Sequence, residues 1–431
     1  MTRSPLHSFW MGGFEGADHL NAAGEPLDMV GRTAHLDLLN GDYLRAREHG
    51  LLSVRESLGW RLAEPSPGRH DFQRALYIAR TAQRHGLQVV WTFMHYGTPP
   101  DLSLFDDALI DRFARFAAAA AEVLAPFHDT PPVYNLVNEI GFLSWAVSET
   151  NLIHPYRGDP EQRGARTEAS GYDVKRRLVR AVLAAVDAVR RVDPRARFLH
   201  IEPVVHVVAP REQPELAPLA ARVEGYQWQV WDLIAGRLDP ACGGSADALD
   251  LVGVNHYHSG QWEAGTERRL RWHEGDPRRR PLSALLADVW QRYERPLVIA
   301  ETSHFGSGRS AWLDEVAAEV ASARRDGVPV LGLCLYPLVD RFDWDDASHW
   351  HHSGLWDVDH VQPQARQRVL DLSYARTLQA WRGRLPHAAA PLLPALCANS
   401  STHPPLSPPL SPPLSPPLPT TFSTTEPPCL T

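Results

Sequence analysis

The sequence predicts an α/β fold, a single closed (β/α)8 (TIM) barrel, on three observations. Eight short runs of β-branched or aromatic residues occur between residues 8 and 335. Helical stretches, with apolar residues three and four positions apart, lie between many of these runs. No G-x-G-x-x-G follows the first run, which disfavours the alternative, an open doubly wound sheet that binds a dinucleotide.

The predicted elements alternate along the chain. The strands span Ser8–Phe14, Leu51–Arg55, Leu87–Met94, Val133–Val137, Arg197–Ile201, Leu249–Val254, Pro296–Ala300 and Val328–Leu335. The helices span Arg74–His85, Leu109–Leu124, Val174–Val192, Leu282–Tyr293 and Trp312–Arg325. This region is longer than the roughly 250 residues of an ordinary barrel, so we expect long βα loops. The clearest ones are 141–171 and 255–281.

The character of the chain changes near residue 386, where a repeated Ser-Pro-Pro-Leu unit begins to dominate. Proline lacks a backbone donor and fixes φ, so this repeat is unsuited to a helix or a central strand. We therefore expect one barrel domain at residues 1–386 and a disordered Pro/Ser/Leu-rich tail at residues 387–431.

Composition excludes several classes of function. The net charge of -8 provides no basic surface for nucleic acid. No apolar stretch approaches the roughly 18 residues of a membrane span, and the N-terminus lacks the apolar core of a secretory signal. The four cysteines have no metal-ligand spacing. We expect a cytoplasmic protein that binds neither nucleic acid nor membrane and uses no cofactor or metal.

Polar residues end every predicted strand. One such residue is more often a solvated strand end than a functional group, but carboxyl ends of barrel strands share one rim. Convergence of so many carboxylates, amides, histidines and aromatics there predicts a site. The residues are Glu15, Arg55, His95, Asn138, Glu139, Glu202, Asn255, His256, Tyr257, Glu301, Asp340, Asp343 and Trp344.

The chemistry that suits this set is glycoside hydrolysis by two carboxyl groups. At a separation of about 5–5.5 Å, one carboxylate attacks the anomeric carbon while the other protonates the departing oxygen. We assign Glu139 as the acid/base and Glu301 as the nucleophile. Arg55 and Tyr257 are donors that could keep a carboxylate ionised, and Asn138 could bind the sugar 2-hydroxyl.

Further rim residues are candidates for binding the sugar itself. Carboxylates and imidazoles bind hydroxyls, and aromatic faces stack on sugar rings. These candidates are Glu15, His95, Glu202, His256, Tyr336, Asp343 and Trp344.

Four stretches resemble a known family: FWMGGFEGADH, VRESLGWRLAEPSPGRHDF, HYGTPPDL and YPLVDRFDW. Together with Asn138-Glu139 and Glu301, they resemble the clan of retaining (β/α)8 glycosidases. Within that clan, residues 8–385 most resemble a divergent relative of glycoside hydrolase family 1, the β-glucosidase and β-galactosidase family. Tyr336 stands where the family has a Trp. The resemblance implies carbohydrate metabolism, with a small-molecule β-glycoside or oligosaccharide as substrate.

Three other functions are consistent with the barrel. A catalytically silent barrel would bind carbohydrate or a protein partner, and a transglycosidase would use the same site with another acceptor. A sugar-phosphate isomerase or aldolase would need a phosphate loop or a Schiff-base lysine. HFGSGRS is a weak phosphate loop, and Lys175 is the only lysine. The spacing of His349, His351 and His352 disfavours a zinc site.

Overall fold

The structure is a computed structural model, and it describes residues 4–156, 171–359 and 367–386. Eight parallel strands close into a barrel in the order β1-β8-β7-β6-β5-β4-β3-β2, which confirms the predicted fold class. The expected tail at 387–431 lies outside the described residues. The strands are β1 (Trp10–Gly13), β2 (Ser53–Ser57), β3 (Gln88–Met94), β4 (Val133–Val137), β5 (Arg197–Pro203), β6 (Leu251–Asn255), β7 (Leu297–Thr302) and β8 (Val330–Leu335).

The described α-helices surround the strands or lie in the loops between them. They are α1 (Met29–Arg32), α2 (His35–Glu48), α3 (Trp60–Ala63), α4 (Gln73–His85), α5 (Ala108–Leu124), α6 (Ile140–Glu149), α7 (Gly171–Val192), α8 (Ala217–Gly225), α9 (Gln229–Ile234), α10 (Leu282–Tyr293), α11 (Arg309–Arg325) and α12 (Leu372–Arg384). Two small sheets pair His206–Val208 with Gln261–Glu263 and Trp356–Val358 with Arg368–Leu370.

Helix α4 illustrates how the sequence pattern produces the outer layer. Ala75, Ile78, Ala79 and Ala82 are buried and recur with the helical period, so one face packs inward. The helix ends at Gly86, whose φ of 65° is the left-handed conformation that glycine adopts without a Cβ penalty. The same logic gives all five predicted helices, with α4, α5, α7 and α11 starting one to three residues earlier than expected.

The sequence pattern missed helix α2, for a physical reason. Its buried face carries His35 and Asp42 beside Leu39, Tyr43 and Ala46, so polar residues interrupt the apolar period. These polar residues are buried because they bind one another and their neighbours.

Two separate apolar cores result from barrel closure. The larger one lies between the strands and the helices. The smaller one includes Met11, Val90, Ile201 and Val298, and its members come from strands or flanking loops but from no helix, so it fills the barrel interior. No helix in the described ranges is long and apolar enough to cross a membrane.

A buried polar network ties α2 to β2 and to the C-terminal part of the described chain. His35 bonds Asp42 through Nδ1 at 2.9 Å and Glu56 through Nε2 at 3.0 Å. Arg368 donates to both oxygens of Asp42, at 2.9 and 2.7 Å, and Tyr43 donates to Glu56 at 2.6 Å. Burial lowers the pKa of His35, but the charges of Glu56 and Asp42 outweigh it and raise that pKa to about 9.

This raised pKa predicts a pH dependence of stability. Folding favours the protonated His35, so its contribution is complete below pH 6.5 and is lost as the pH rises through 9. The contribution is on the order of 3 kcal/mol. We therefore expect the free energy of unfolding, measured with urea, to fall less between pH 6 and pH 9.5 in His35→Gln than in the wild type. Equal losses in both proteins would contradict this account.

Candidate active site

The strands bring the predicted residues to one rim of the barrel. Arg55, Glu202 and Glu301 lie within β2, β5 and β7, and the other predicted residues end a strand or follow one. Because the strands are parallel, these positions all lie at the carboxyl end of the barrel. Glu139 is 3% exposed and Glu301 is 0% exposed, so both carboxyl groups are inside the protein.

Arg55 is the central donor of this rim. Its Nη1 donates to Glu301 Oε1 at 2.8 Å and to the carbonyl of Ala300 at 3.0 Å. Its Nη2 donates to Asn138 Oδ1 at 3.1 Å and to Thr92 Oγ1 at 3.2 Å. One guanidinium therefore links the residue before Glu139 to Glu301.

Glu301 is bound through both of its oxygens. Oε1 accepts from Arg55, and Oε2 accepts from the Tyr257 hydroxyl at 2.8 Å. Glu301 therefore has a guanidinium donor at one oxygen and a hydroxyl donor at the other. A small pocket lined by Tyr257, Ser303, Arg341 and His351, among others, leads to this side of the rim.

Glu139 lies in the opposite electrostatic environment. Asn255 Nδ2 donates to its Oε1 at 2.6 Å, and Tyr96 donates to its Oε2 at 3.4 Å. Burial raises the pKa of Glu139 to about 8, the charge of Glu301 adds to the rise, and the bond from Asn255 opposes it. The two carboxyl groups thus have different partners, a guanidinium and a hydroxyl at Glu301 and an amide and a hydroxyl at Glu139.

The other side of the rim holds buried ion pairs and an indole. Arg341 Nε lies 3.2 Å from Glu15 Oε2, and the Arg341 guanidinium lies 5.6 Å from the Trp344 ring centroid. Burial raises the pKa of Glu15, against the opposing charge of Arg341. Asp343 lies 3.3 Å from His351 Nε2.

Tyr336 and His95 connect the two sides. The Tyr336 hydroxyl donates to Glu15 Oε1 at 3.4 Å and lies 3.4 Å from His95 Nδ1. His95 Nε2 lies 3.3 Å from Asn138 Nδ2, which also donates to Tyr96 at 3.2 Å. Four predicted candidates therefore form one hydrogen-bonded group: Glu15, His95, Asn138 and Tyr336.

Glu202 and His256 are among the predicted residues that lie apart from that group. Glu202 accepts from the Gly141 amide at 3.2 and 2.9 Å, at the start of α6. The His256 ring stacks on Trp312, with centroids 5.4 Å apart and planes 21° apart. Their assignment as sugar-binding residues stays a prediction.

Several buried polar atoms at the rim have no hydrogen-bond partner within the described part of the chain. They include both ring nitrogens of His19, Asn255 Oδ1, His256 Nδ1 and Trp344 Nε1. His19 packs edge-on against Trp344, with centroids 4.8 Å apart. Buried polar atoms nearly always find partners, so these atoms are suited to bind the hydroxyls of a polar ligand.

The three histidines of the 349–352 segment have different partners, although the rings of His349 and His351 pack edge-on with centroids 5.1 Å apart. His351 faces Asp343, whereas His352 Nδ1 lies 3.7 Å from Asp340 Oδ2 and 3.6 Å from Asp357 Oδ1. Asp340, His352 and Asp357 are the only group of three potential metal ligands in the described residues. Arg309 Nη1 already donates to Asp357 at 2.7 Å, so its guanidinium supplies positive charge to this group in place of a metal ion.

Sequence reasoning did not select Tyr96, His19 or Arg341 as site residues. Arg341 stands in the same motif as Asp343, and Tyr96 follows His95, so both were within reach of the strand-end rule. His19 lies six residues beyond the end of β1, and only the fold brings it against Trp344.

Comparisons with known proteins give structural matches alone: no family model and no curated protein matches the chain. The β-glycosidase BGL167 is 20% identical, with a TM-score of 0.67, over 91% of this chain and 99% of that one. A family 1 β-glucosidase from Thermotoga maritima is 15% identical, with a TM-score of 0.66, over 88% and 98%. The Thermotoga maritima β-glucosidase in complex with noeuromycin is 16% identical, with a TM-score of 0.66, over the same shares.

At these identities the likeness establishes the fold. The predicted resemblance to family 1 β-glucosidases is confirmed at that level, since the match spans nearly the whole length of those chains. The low identity also agrees with the expectation of a divergent relative.

The position of Arg55 predicts a large loss of stability on its removal. Arg55→Met leaves the buried Glu301 carboxylate without its counter-charge, and breaking a buried pair in this way costs about 3–5 kcal/mol. Adding Glu301→Gln should restore part of the loss, because the unpaired charge is then gone. Urea unfolding of the two single variants and the double variant measures this coupling.

The matched control is Arg309→Met, which removes another buried arginine that is paired with Asp357 and Asp371. Glu301→Gln should not rescue that variant. If the stability losses of Arg55→Met and Glu301→Gln simply added in the double variant, that result would contradict the pairing of Arg55 with Glu301.

Proposed function

We propose that this protein is a retaining β-glycosidase, a divergent member of glycoside hydrolase family 1, acting on a small-molecule β-glycoside or oligosaccharide. The observation that carries the proposal is the contrast between two buried carboxyl groups at one barrel rim. Glu301 is bound by Arg55 and Tyr257, whereas burial and the charge of Glu301 favour the neutral form of Glu139. The unpartnered polar atoms around them support a ligand rich in hydroxyls.

The reaction proceeds in two displacements. In the first, a Glu301 oxygen attacks the anomeric carbon while Glu139 gives its proton to the departing glycosidic oxygen. In the second, the Glu139 carboxylate takes a proton from water, and that water attacks the same carbon and releases Glu301. Two inversions leave the anomeric configuration unchanged.

Arg55 and Tyr257 contribute by holding Glu301. Arg55 provides a counter-charge before the attack, and Tyr257 donates to the second oxygen, so the carboxylate keeps one orientation. Asn138, fixed by Arg55, is positioned to donate to the sugar 2-hydroxyl, a contact that strengthens in the transition state.

The sugar would lie against Trp344 and the residues around it. Glu15, His95 and Asp343 provide acceptors or donors for hydroxyls, and Tyr336 and Trp344 provide ring faces. Arg341 and His19 extend this set with a guanidinium and an imidazole. No cofactor or metal takes part in the proposed reaction.

Product stereochemistry tests the two roles directly. We expect the wild type to hydrolyse at least one nitrophenyl β-glycoside from a panel of sugars, with retention by proton NMR. Glu139→Ala should lose about 10²–10⁴-fold in kcat on poor leaving groups, since general acid catalysis contributes that much. With azide present, this variant should form a β-glycosyl azide, whereas Glu301→Gly should form the α-glycosyl azide from an activated glycoside.

The control is Glu224→Gln, which removes a partly exposed carboxylate bonded to His206, neither of which belongs to the proposed site. It should leave turnover unchanged. Sugar binding without turnover by the wild type would favour a catalytically silent barrel. Transfer to an added alcohol in preference to water would favour a transglycosidase, and inversion would refute the mechanism.

The raised pKa of Glu139 predicts the alkaline limit of activity. Glu139 must be protonated to donate, so kcat/KM should fall as the pH rises through about 8. On a nitrophenyl glycoside, whose leaving group needs little protonation, Glu139→Ala should lose this limb from its pH profile. An unchanged alkaline limb in that variant would assign the acid to another group.

A further inference from the structure

Glu202 and Lys175 are two buried residues of opposite charge that the proposed reaction does not use. Glu202 lies in β5, next to the strand that leads to Glu139, and is 2% exposed. Lys175 lies in α7, is 7% exposed, and donates from Nζ to Gln229 at 2.7 Å. It is the only lysine in a chain with 43 lysines and arginines, so a general need for positive charge does not explain it.

Strand β5 holds the backbone around Glu139 from two sides. The Glu139 amide donates to the carbonyl of Ile201 at 3.1 Å. The Gly141 amide, two residues later, donates to the carboxylate of Glu202, the residue after Ile201. Consecutive residues of one strand therefore hold both ends of the short turn that carries Glu139.

This turn requires such support. Glu139 has a φ of 41°, a left-handed conformation that non-glycine residues adopt at a cost of about 1–3 kcal/mol. It is also the N-cap of α6, yet its side chain caps no amide and is directed to Asn255 instead. Glu202 accepts from the Gly141 amide at the start of α6 in its place, and the helix dipole stabilises a negative charge at that end.

The chain leaves space for this carboxylate. A Cβ on residue 141 would lie 2.5 Å from Glu202 Oε2, so the glycine at that position allows the close approach. Burial raises the pKa of Glu202 to about 8, against the opposing charge of Lys175. Burial likewise lowers the pKa of Lys175 to about 8, against Glu202 and Glu149. Each group therefore favours the charged form of the other.

We propose that Glu202 is a positioning residue for the acid/base Glu139: its carboxylate accepts from the Gly141 amide and so holds the first turn of α6. The charge of the buried Lys175 favours the ionised form of that carboxylate and opposes the effect of burial. The inference rests on the proposed role of Glu139, and it assigns Glu202 a task other than sugar binding. A negative charge at Glu202 also favours the protonated form of Glu139, which the first displacement needs.

The titratable groups around Glu139, Glu202 and Lys175 come from six parts of the fold. Glu139 is faced by Glu301 from β7, Tyr96 from the loop after β3, Tyr257 from the loop after β6, and Glu202 from β5. Glu202 is faced by Lys175 from α7, and Lys175 also by Glu149 from the end of α6.

The test measures the pKa of Glu139 by carboxyl ¹³C NMR in protein labelled at glutamate, with its signal identified by loss in Glu139→Gln. Glu202→Gln keeps an acceptor but removes the charge, so the pKa of Glu139 should fall by about 1 unit. Lys175→Met should cause a similar fall, because the unpaired Glu202 takes up a proton. The double variant should show no further fall, since both changes remove the same charge.

The control is Asp232→Asn, which removes a buried carboxylate paired with Arg292 and Tyr293 outside the rim. It should lower stability and leave the pKa of Glu139 unchanged. An unchanged pKa in either folded variant of the pair would overturn the proposal. If Glu202→Gln does not fold, Lys175→Met alone decides.

The NMR titration does not depend on turnover, so a failure of the glycosidase proposal is distinguishable from a failure of this one. If the protein is an active glycosidase, the alkaline limb of kcat/KM should move to lower pH by the same amount as the titration. A titration shift without a shift of that limb would refute Glu139 as the acid and retain the Glu202 contact.

Discussion

A buried arginine organises the carboxyl end of this barrel. Arg55 is 2% exposed and contacts groups on β3, β4 and β7, or on the residues that follow them, through four hydrogen bonds. A guanidinium stays ionised in proteins, and its fork of donors has a fixed geometry. The carboxylate and amide oxygens of Glu301 and Asn138 must therefore lie where the fork directs them.

The barrel lowers the free-energy cost of burying these charged groups. Its interior core of aliphatic residues fills the space beneath the rim, so the charged groups lie at the one end where a ligand or solvent can replace lost hydration. The ion pairs Arg55–Glu301 and Arg341–Glu15 place opposite charges together at that end. Glu139 is bonded by an amide and a hydroxyl, and burial together with the charge of Glu301 favours its neutral form.

Much of the fold and part of the site could be predicted from the chain. The eight strands and five of the helices follow from apolar periodicity. The strand-end rule selected Arg55, Glu139, Tyr257 and Glu301 as site candidates without an alignment. Helix α2 was not predicted because its buried face is partly polar. The partners of His35 and Asp42 on that face include Arg368, more than three hundred residues away. No local pattern encodes such a contact.

The sequence by itself determined which residues end the strands, because strand period and strand ends are local properties of the chain. Only the tertiary structure decided what each of these residues contacts. Asn138 and Asn255 both follow apolar runs, yet one is bound by Arg55 and the other donates to Glu139. Glu202 shares the rim with Glu301 but is bonded to α6. Such differences depend on strand order, side-chain direction and the packing of helices behind the barrel, which are set only when the barrel closes.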